Sequence, residues 1–179
     1  MDGMEDTLTP VTLIDGARMY AAAADAVNDK LPNSLHVLIH LLGTSIELAL
    51  KAYLCNAGYS EQELRKIGYD LDMLFNHAVD HGLEWTGSRS SVLQVVGHNY
   101  RQRLFVYPQR GMMSVIMPWC LRQMANELIE HSFIAIKGKA EFEAHKNEPG
   151  LCIESKYPMI SMRVVGAWQV WARVCLTIR

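Results

Sequence analysis

The sequence predicts an all-α fold: a four- to five-helix up-and-down bundle with a C-terminal extension. Three observations carry this. Apolar residues recur at three- and four-residue spacing in most segments of the first 137 residues. Helix starts and stops punctuate the chain, with Thr9-Pro10, Ser34, Ser60, Asp70 and Pro118 opening segments and Leu31-Pro32-Asn33, Gly58, Gly82 and Pro108 closing them. Half of the 179 residues are apolar and mean hydropathy is +0.02. A single domain of this length can therefore fill a core, and the composition is not that of a disordered chain.

The elements follow in order. Thr9 caps a first helix over about 10–30, and Pro10 is tolerated at its first position because an N–H there would find no helical partner. Ala17, Ala21 and Ala24 give it a small face for close packing. Ser34 opens a second helix, about 35–57, which Gly58 stops. Ser60 and Glu63 have capping-box spacing for a short helix over about 61–67. Asp70 starts the next, with Leu71, Leu74, Phe75 and Ala78 on one face, ending near Gly82. A fifth helix, about 91–105, carries Leu93, Val96, Tyr100 and Leu104 along a narrow stripe before Pro108. The last long helix runs from about Pro118 to Lys137, with Leu121, Ala125, Leu128, Ser132 and Ile136 on one side. The bundle thus occupies residues 1–137, and 138–179 form a linker and C-terminal extension. Residues 138–150 are polar and bounded by glycine, and apolar character returns in 151–179 with Val164, Val165, Trp168 and Trp171.

Charge is unevenly spread. The formal net charge of −2 argues against coating nucleic acid non-specifically, yet leaves room for a local basic patch. Residues 1–84 hold five basic and thirteen acidic side chains, whereas 85–126 hold Arg89, Arg101, Arg103, Arg110 and Arg122 with no acid. Arginine suits bidentate contacts to carboxylate or phosphate. Two readings follow: the arginines pair with the acidic N-terminal half, or they line a phosphate-binding groove. The cysteines at 55, 120, 152 and 175 have no metal or redox spacing and read as free thiols of a reducing cytoplasm. The acidic N-terminus does not read as a signal peptide. The apolar stretch 35–54 carries His36, His40, Glu47 and Lys51, so it reads as a buried helix, and no membrane partner is expected.

On that second helix His36, His40, Gly43, Thr44, Glu47 and Lys51 share an arc of about 100°. Glu47 and Lys51 have the favourable acid-first i,i+4 order for an ion pair. The stripe is either a solvent-facing strip or a polar strip buried at a dimer seam or ligand groove. His36 and His40 alone lack the third and fourth ligands of a zinc site, so no metal or other cofactor is expected. The run HNYRQRLFVYP (98–108), at the end of the fifth helix, combines His98, Tyr100, Arg101, Arg103 and Tyr107, with Arg101 and Arg103 on opposite flanks of the apolar stripe. His98 with Arg101 or Arg103 has the residue types for RNA cleavage, histidine moving a proton and arginine stabilising phosphorane charge. Tyr107 can stack on a base. Phosphate-loop, dinucleotide and serine-hydrolase motifs are absent.

Tyr20 with the alanines after it, HLLGTSIELALKAYL (40–54), GYDLDML (68–74) and YRQRLFVYP (100–108) together resemble the HEPN superfamily, the higher-eukaryote and prokaryote nucleotide-binding helical domains. The resemblance spans about residues 10–137 and is carried most by Glu47-x-x-x-Lys51 and the Gly68-Tyr69-Asp70-Leu71 turn. It implies a helical bundle, usually a homodimer, that cuts RNA, binds RNA or a nucleotide, or makes protein contacts only. A toxin–antitoxin or defence pair, with a partner protein from a neighbouring gene, is a setting it suggests. Catalytic members carry Arg, four to six residues, then His on one helix. Here eight residues separate Arg89 from His98 and Arg122 from His131, and His98 precedes Arg101 and Arg103. The expected function is therefore a binder of RNA or nucleotide, and the residues themselves point to Glu47, Lys51, Tyr100, Arg101 and Arg103 as its polar groove. A metal-independent endoribonuclease and a purely partner-binding dimeric bundle are the alternatives.

Overall fold

The computed structural model describes residues 8–31, 34–85, 90–102 and 117–148. Within these the chain is all-α: α1 (Pro10–Lys30), α2 (Leu35–Asn56), α3 (Glu61–Ile67), α4 (Leu71–Asp80), α5 (Ser90–Arg101), α6 (Pro118–Lys137) and α7 (Lys139–His145), with no strand among the described residues. Side-chain caps set the starts of α1, α3 and α4. Thr9 and Thr12 cap α1 reciprocally, the Thr12 N–H donating to Thr9 Oγ1 at 3.1 Å and the Thr9 N–H to Thr12 Oγ1 at 3.0 Å. Ser60 and Glu63 do the same for α3, and these hydrogen bonds from the Ser60 N–H and hydroxyl hold the Glu63 carboxyl below the usual range. Asp70 Oδ1 accepts from the Met73 N–H at the start of α4. Ser34 stands at the N-cap of α2 but makes no capping bond. Its ψ of 49° departs from the extended geometry that aims a capping hydroxyl at the helix.

α2 is the central helix, and α1, α3, α4, α5 and α6 all pack on it. It is long and apolar enough to cross a membrane by length and composition, but here Leu38, Ile39, Leu42, Ile46, Leu50 and Leu54 are buried against its neighbours. The α1–α2 seam is close because its residues are small. Ala17, Ala21 and Ala24 are fully buried, and Ser45 Oγ donates to the Ala17 carbonyl at 2.9 Å. On the other side Ser132 Oγ of α6 donates to the Ala49 carbonyl at 2.9 Å, and Asn56 Nδ2 donates to that of Ala135. These pairings, with Asp25 of α1 on Arg122 and Arg18 over the Phe133 ring, run α1 antiparallel to both α2 and α6. Each of these buried serines meets a neighbouring helix's carbonyl, and that hydrogen bond offsets the hydroxyl's lost hydration.

The polar segment after Gly138 is helical over α7. Gly138 turns the chain at φ +93°, and α7 docks through Phe142, which is 2% exposed and packs edge-on to Phe133 with centroids 5.9 Å apart. One aromatic anchor in a run of charges leaves no periodicity to read, yet it suffices to hold two helical turns against α6. Glu148 then binds Arg18 of α1 at 2.6 Å. Arg89, Arg103, Leu104, Tyr107, Pro108, Arg110 and residues 149–179 lie outside the described residues.

Candidate functional site

The polar stripe of α2 meets the end of α5 at Tyr100. Gly43 makes the approach available, since a Cβ there would fall 2.8 Å from two ring carbons of Tyr100. The phenol of Tyr100 donates to Glu47 Oε2 at 2.8 Å, and Lys51 Nζ donates to Glu47 Oε1 at 2.5 Å. Thr44 Oγ1 lies 3.0 Å from the phenol oxygen and 2.9 Å from the His40 carbonyl, so its single proton is shared between two acceptors. The His40 ring stacks on Tyr100 with centroids 6.1 Å apart. Glu47 is only 5% exposed, and both its oxygens are occupied. Burial, then the neighbouring Glu47 carboxylate, pushes the Tyr100 phenol far above its ordinary range, so it remains a protonated donor. The stripe is thus neither a plain solvent strip nor in need of a second chain at Glu47: α5 of the same chain closes it.

Replacing Gly43 by alanine tests this closure. In an ordinary helix interior the change gains about 0.5–1 kcal/mol. Here the added methyl must displace a buried ring and break its bond to Glu47. A net loss of about 1–3 kcal/mol is expected, as for other overpacked sites. Denaturant unfolding reads it, and a variant more stable than wild type contradicts the close approach.

A half-open ledge borders the closed carboxylate. Tyr69, in the turn before α4, is 48% exposed. Its ring meets Tyr100 edge-on at 6.4 Å, and Lys51 Nζ stands 5.7 Å from its centroid. The next residue, Asp70, serves two elements, Oδ1 capping α4 and Oδ2 accepting from Arg101 Nη1 at 2.5 Å. Asp72 sits over Gly97 of α5, and its carboxyl is raised by burial and by Asp70, with Arg101 opposing. Lys51 is 15% exposed at its side chain, while Arg101 is about half exposed and keeps donors free for an anion.

The structure therefore brings Glu47, Lys51 and Tyr100 into one cluster, with Arg101 on the neighbouring Asp70. His98 is exposed on α5. Arg103 and Tyr107 lie outside the described residues. Tyr69 and Asp70 are the members that sequence reasoning missed as site residues. Their signal was the Gly68-Tyr69-Asp70-Leu71 turn itself, an aromatic residue beside a cap. Of the five arginines in 85–126, the two with described side chains pair with acids of the N-terminal half: Arg101 with Asp70, and Arg122 with Asp25. Arg122 is 2% exposed on the α1–α6 seam, bidentate to Asp25 at 2.8 and 2.7 Å, with a further bond to Asn126. Among the described residues no cluster of three or more His, Cys, Asp or Glu side chains is placed to hold a metal.

Chemically, Glu47 is engaged by two donors and is not free to take a proton from a substrate. What the ledge offers is a half-exposed tyrosine with the Lys51 ammonium over its ring and, one residue on, the Asp70 carboxylate that holds Arg101. Comparisons with protein-family models, with curated proteins and with solved structures return no significant match.

Proposed function

We propose that this chain is a HEPN-like helical protein that binds single-stranded RNA or a phosphate-bearing nucleotide, as a homodimer, without cutting it. The observation that carries the reading is the Tyr69 ring, half open between Lys51 and Tyr100 and next to the Arg101–Asp70 pair. Single strands are held by this combination, a base stacking on the aromatic face and a phosphate meeting the guanidinium. Arg103 and Tyr107 follow Arg101 within six residues and extend the same chemistry in sequence. The order of His98 before Arg101 and the full occupancy of Glu47 favour binding over cleavage. A place in a toxin–antitoxin or defence pair, beside a partner from a neighbouring gene, belongs to the same proposal.

Binding at the ledge sets phosphate against Asp70 for Arg101. Asp70→Asn separates the two roles of that residue, because asparagine caps a helix about as well as aspartate but does not hold the guanidinium by charge. The exposed pair is worth about 0.2–1 kcal/mol. Asp70→Asn should therefore tighten binding of a single-stranded RNA roughly 1.4- to fivefold. It should also steepen the log–log salt slope by about 0.7, one phosphate contact. Unchanged or weaker binding by a folded variant removes Arg101 from the site. RNA cut by the wild type, with cutting abolished in His98→Ala, replaces this reading by the ribonuclease.

A further inference from the structure

α4 starts at the ledge and ends about 15 Å away, at 1.5 Å per residue, with two histidines one turn apart. His77 lies in its last turn and His81 at its C-cap. Side chains four residues apart on a helix are neighbours, with about 5–6 Å between Cβ atoms. Both rings rest on the same tyrosine. Tyr59, between α2 and α3, meets the His77 ring edge-on with centroids 5.8 Å apart, and the His81 ring at 5.1 Å. On the other side the Tyr53 hydroxyl of α2 donates to the His81 carbonyl at 3.4 Å and steadies the backbone that carries that ring.

The hydrogen bonds of the two rings are divided by nitrogen. His81 Nδ1 stands 2.8 Å from the His77 carbonyl oxygen. A carbonyl only accepts, so Nδ1 carries the proton and Nε2 holds the lone pair of the neutral ring. His77 Nδ1 lies 3.0 Å from the Tyr59 hydroxyl, which can accept from it. Neither Nε2 has a hydrogen-bond partner among the described residues. Metal-binding histidines show this division: the nitrogen away from the metal donates to a fixed acceptor, which sets both tautomer and ring orientation. The dipole of α4 favours imidazoles at this end, but it does not account for two rings held through Nδ1 against one tyrosine. Acidic groups stand nearby: Asp80 in the last turn, and Glu84, close enough to Tyr53 to help burial raise that phenol.

We infer that His77 and His81 form a metal site that takes Zn(II), or a similar imidazole-seeking divalent ion, through both Nε2 atoms, with water filling the remaining positions. Two side chains suffice for such a site, in keeping with the absence of a larger His, Cys, Asp or Glu cluster among the described residues. His36 and His40 share the four-residue spacing, but His36 Nδ1 is buried without a partner, so no acceptor orients that ring. The bound ion ties the last turn of α4 to its cap, and it stabilises the fold because the unfolded chain does not hold the two rings together.

Calorimetric titration of Zn(II) into the full-length chain, prepared without a histidine tag and stripped with chelator, tests it. Tyr59→Phe removes only the acceptor that orients His77 and should weaken zinc binding about tenfold. His77→Asn and His81→Asn each remove a ligand and should weaken it by more. His36→Asn with His40→Asn should leave it unchanged. A wild type that takes up no zinc overturns the inference, as does uptake that survives both His77→Asn and His81→Asn or is lost with His36 and His40. Imidazole nitrogen spectra of the wild-type chain read the same site without substitution, should a variant fail to fold. Zinc should shift Nε2 of His77 and His81 while each Nδ1 keeps its proton. Metal-induced loss of the Nδ1 protons, or no shift at either ring, overturns it.

Discussion

Glu47→Ala is expected to destabilise the protein by about 2–4 kcal/mol. Breaking a buried ion pair by removing one partner costs about 3–5 kcal/mol, because the other charge is left without its compensation. Here Lys51 is 15% exposed and recovers part of its hydration, which lowers the figure. The Tyr100 phenol loses its acceptor at the same time, a further desolvation loss for a buried donor. Lys51→Ala should cost a similar amount, about 2–4 kcal/mol, because the Glu47 carboxylate, 5% exposed, then keeps only the Tyr100 phenol and no compensating charge. The two effects should couple by about 0.5–3 kcal/mol in a double-mutant cycle. The expected structural signature is faster amide exchange in α5, whose end is pinned to α2 through this phenol. A Glu47→Ala protein within 0.5 kcal/mol of wild type in urea unfolding, a margin typical of unconstrained surface sites, would mean the cluster does not lock α5.

The Arg122–Asp25 pair should respond asymmetrically. Asp25→Ala leaves a guanidinium, 2% exposed, with only Asn126 as side-chain partner, and should cost about 3–5 kcal/mol. Arg122→Met removes the charge that needed compensating and keeps much of the stem's packing. Asp25, whose side chain is 19% exposed, can then turn toward water. That variant should lie within about 1 kcal/mol of wild type, since replacing a buried charge by an apolar side chain of similar shape is often neutral. The difference in size between two substitutions at one ion pair is the prediction. Equal losses in thermal or denaturant unfolding would place the cost in lost packing instead.

Much of the fold was legible because helix ends are local chemistry. Thr9-Pro10 and Pro118 mark the first residues of α1 and α6, and the Ser60–Glu63 box and Asp70 cap mark α3 and α4. The alanine face of α1 is buried as its spacing predicts. The Glu47–Lys51 pair was legible for the same reason, since four residues along a helix bring side chains together. What the sequence leaves open are choices between distant partners. Nothing local says that Arg122 takes Asp25, 97 residues away, or that Tyr100 takes Glu47, 53 residues away. The docking of α7 rests on one phenylalanine finding another, and Tyr69 gains its place in the site only when Tyr100 and Lys51 arrive beside it.

The most direct measurement is a salt titration of full-length wild-type protein with a labelled single-stranded RNA, followed by anisotropy and by a gel for cleavage. The expected result is binding at low salt without cleavage, with a log–log slope of about −0.7 for each phosphate contacted. Arg101→Ala with Arg103→Ala should flatten that slope by about one to two units and leave the helical circular dichroism unchanged. Absence of binding to RNA and to nucleotides at low salt would contradict the proposal and leave a bundle that only binds protein partners.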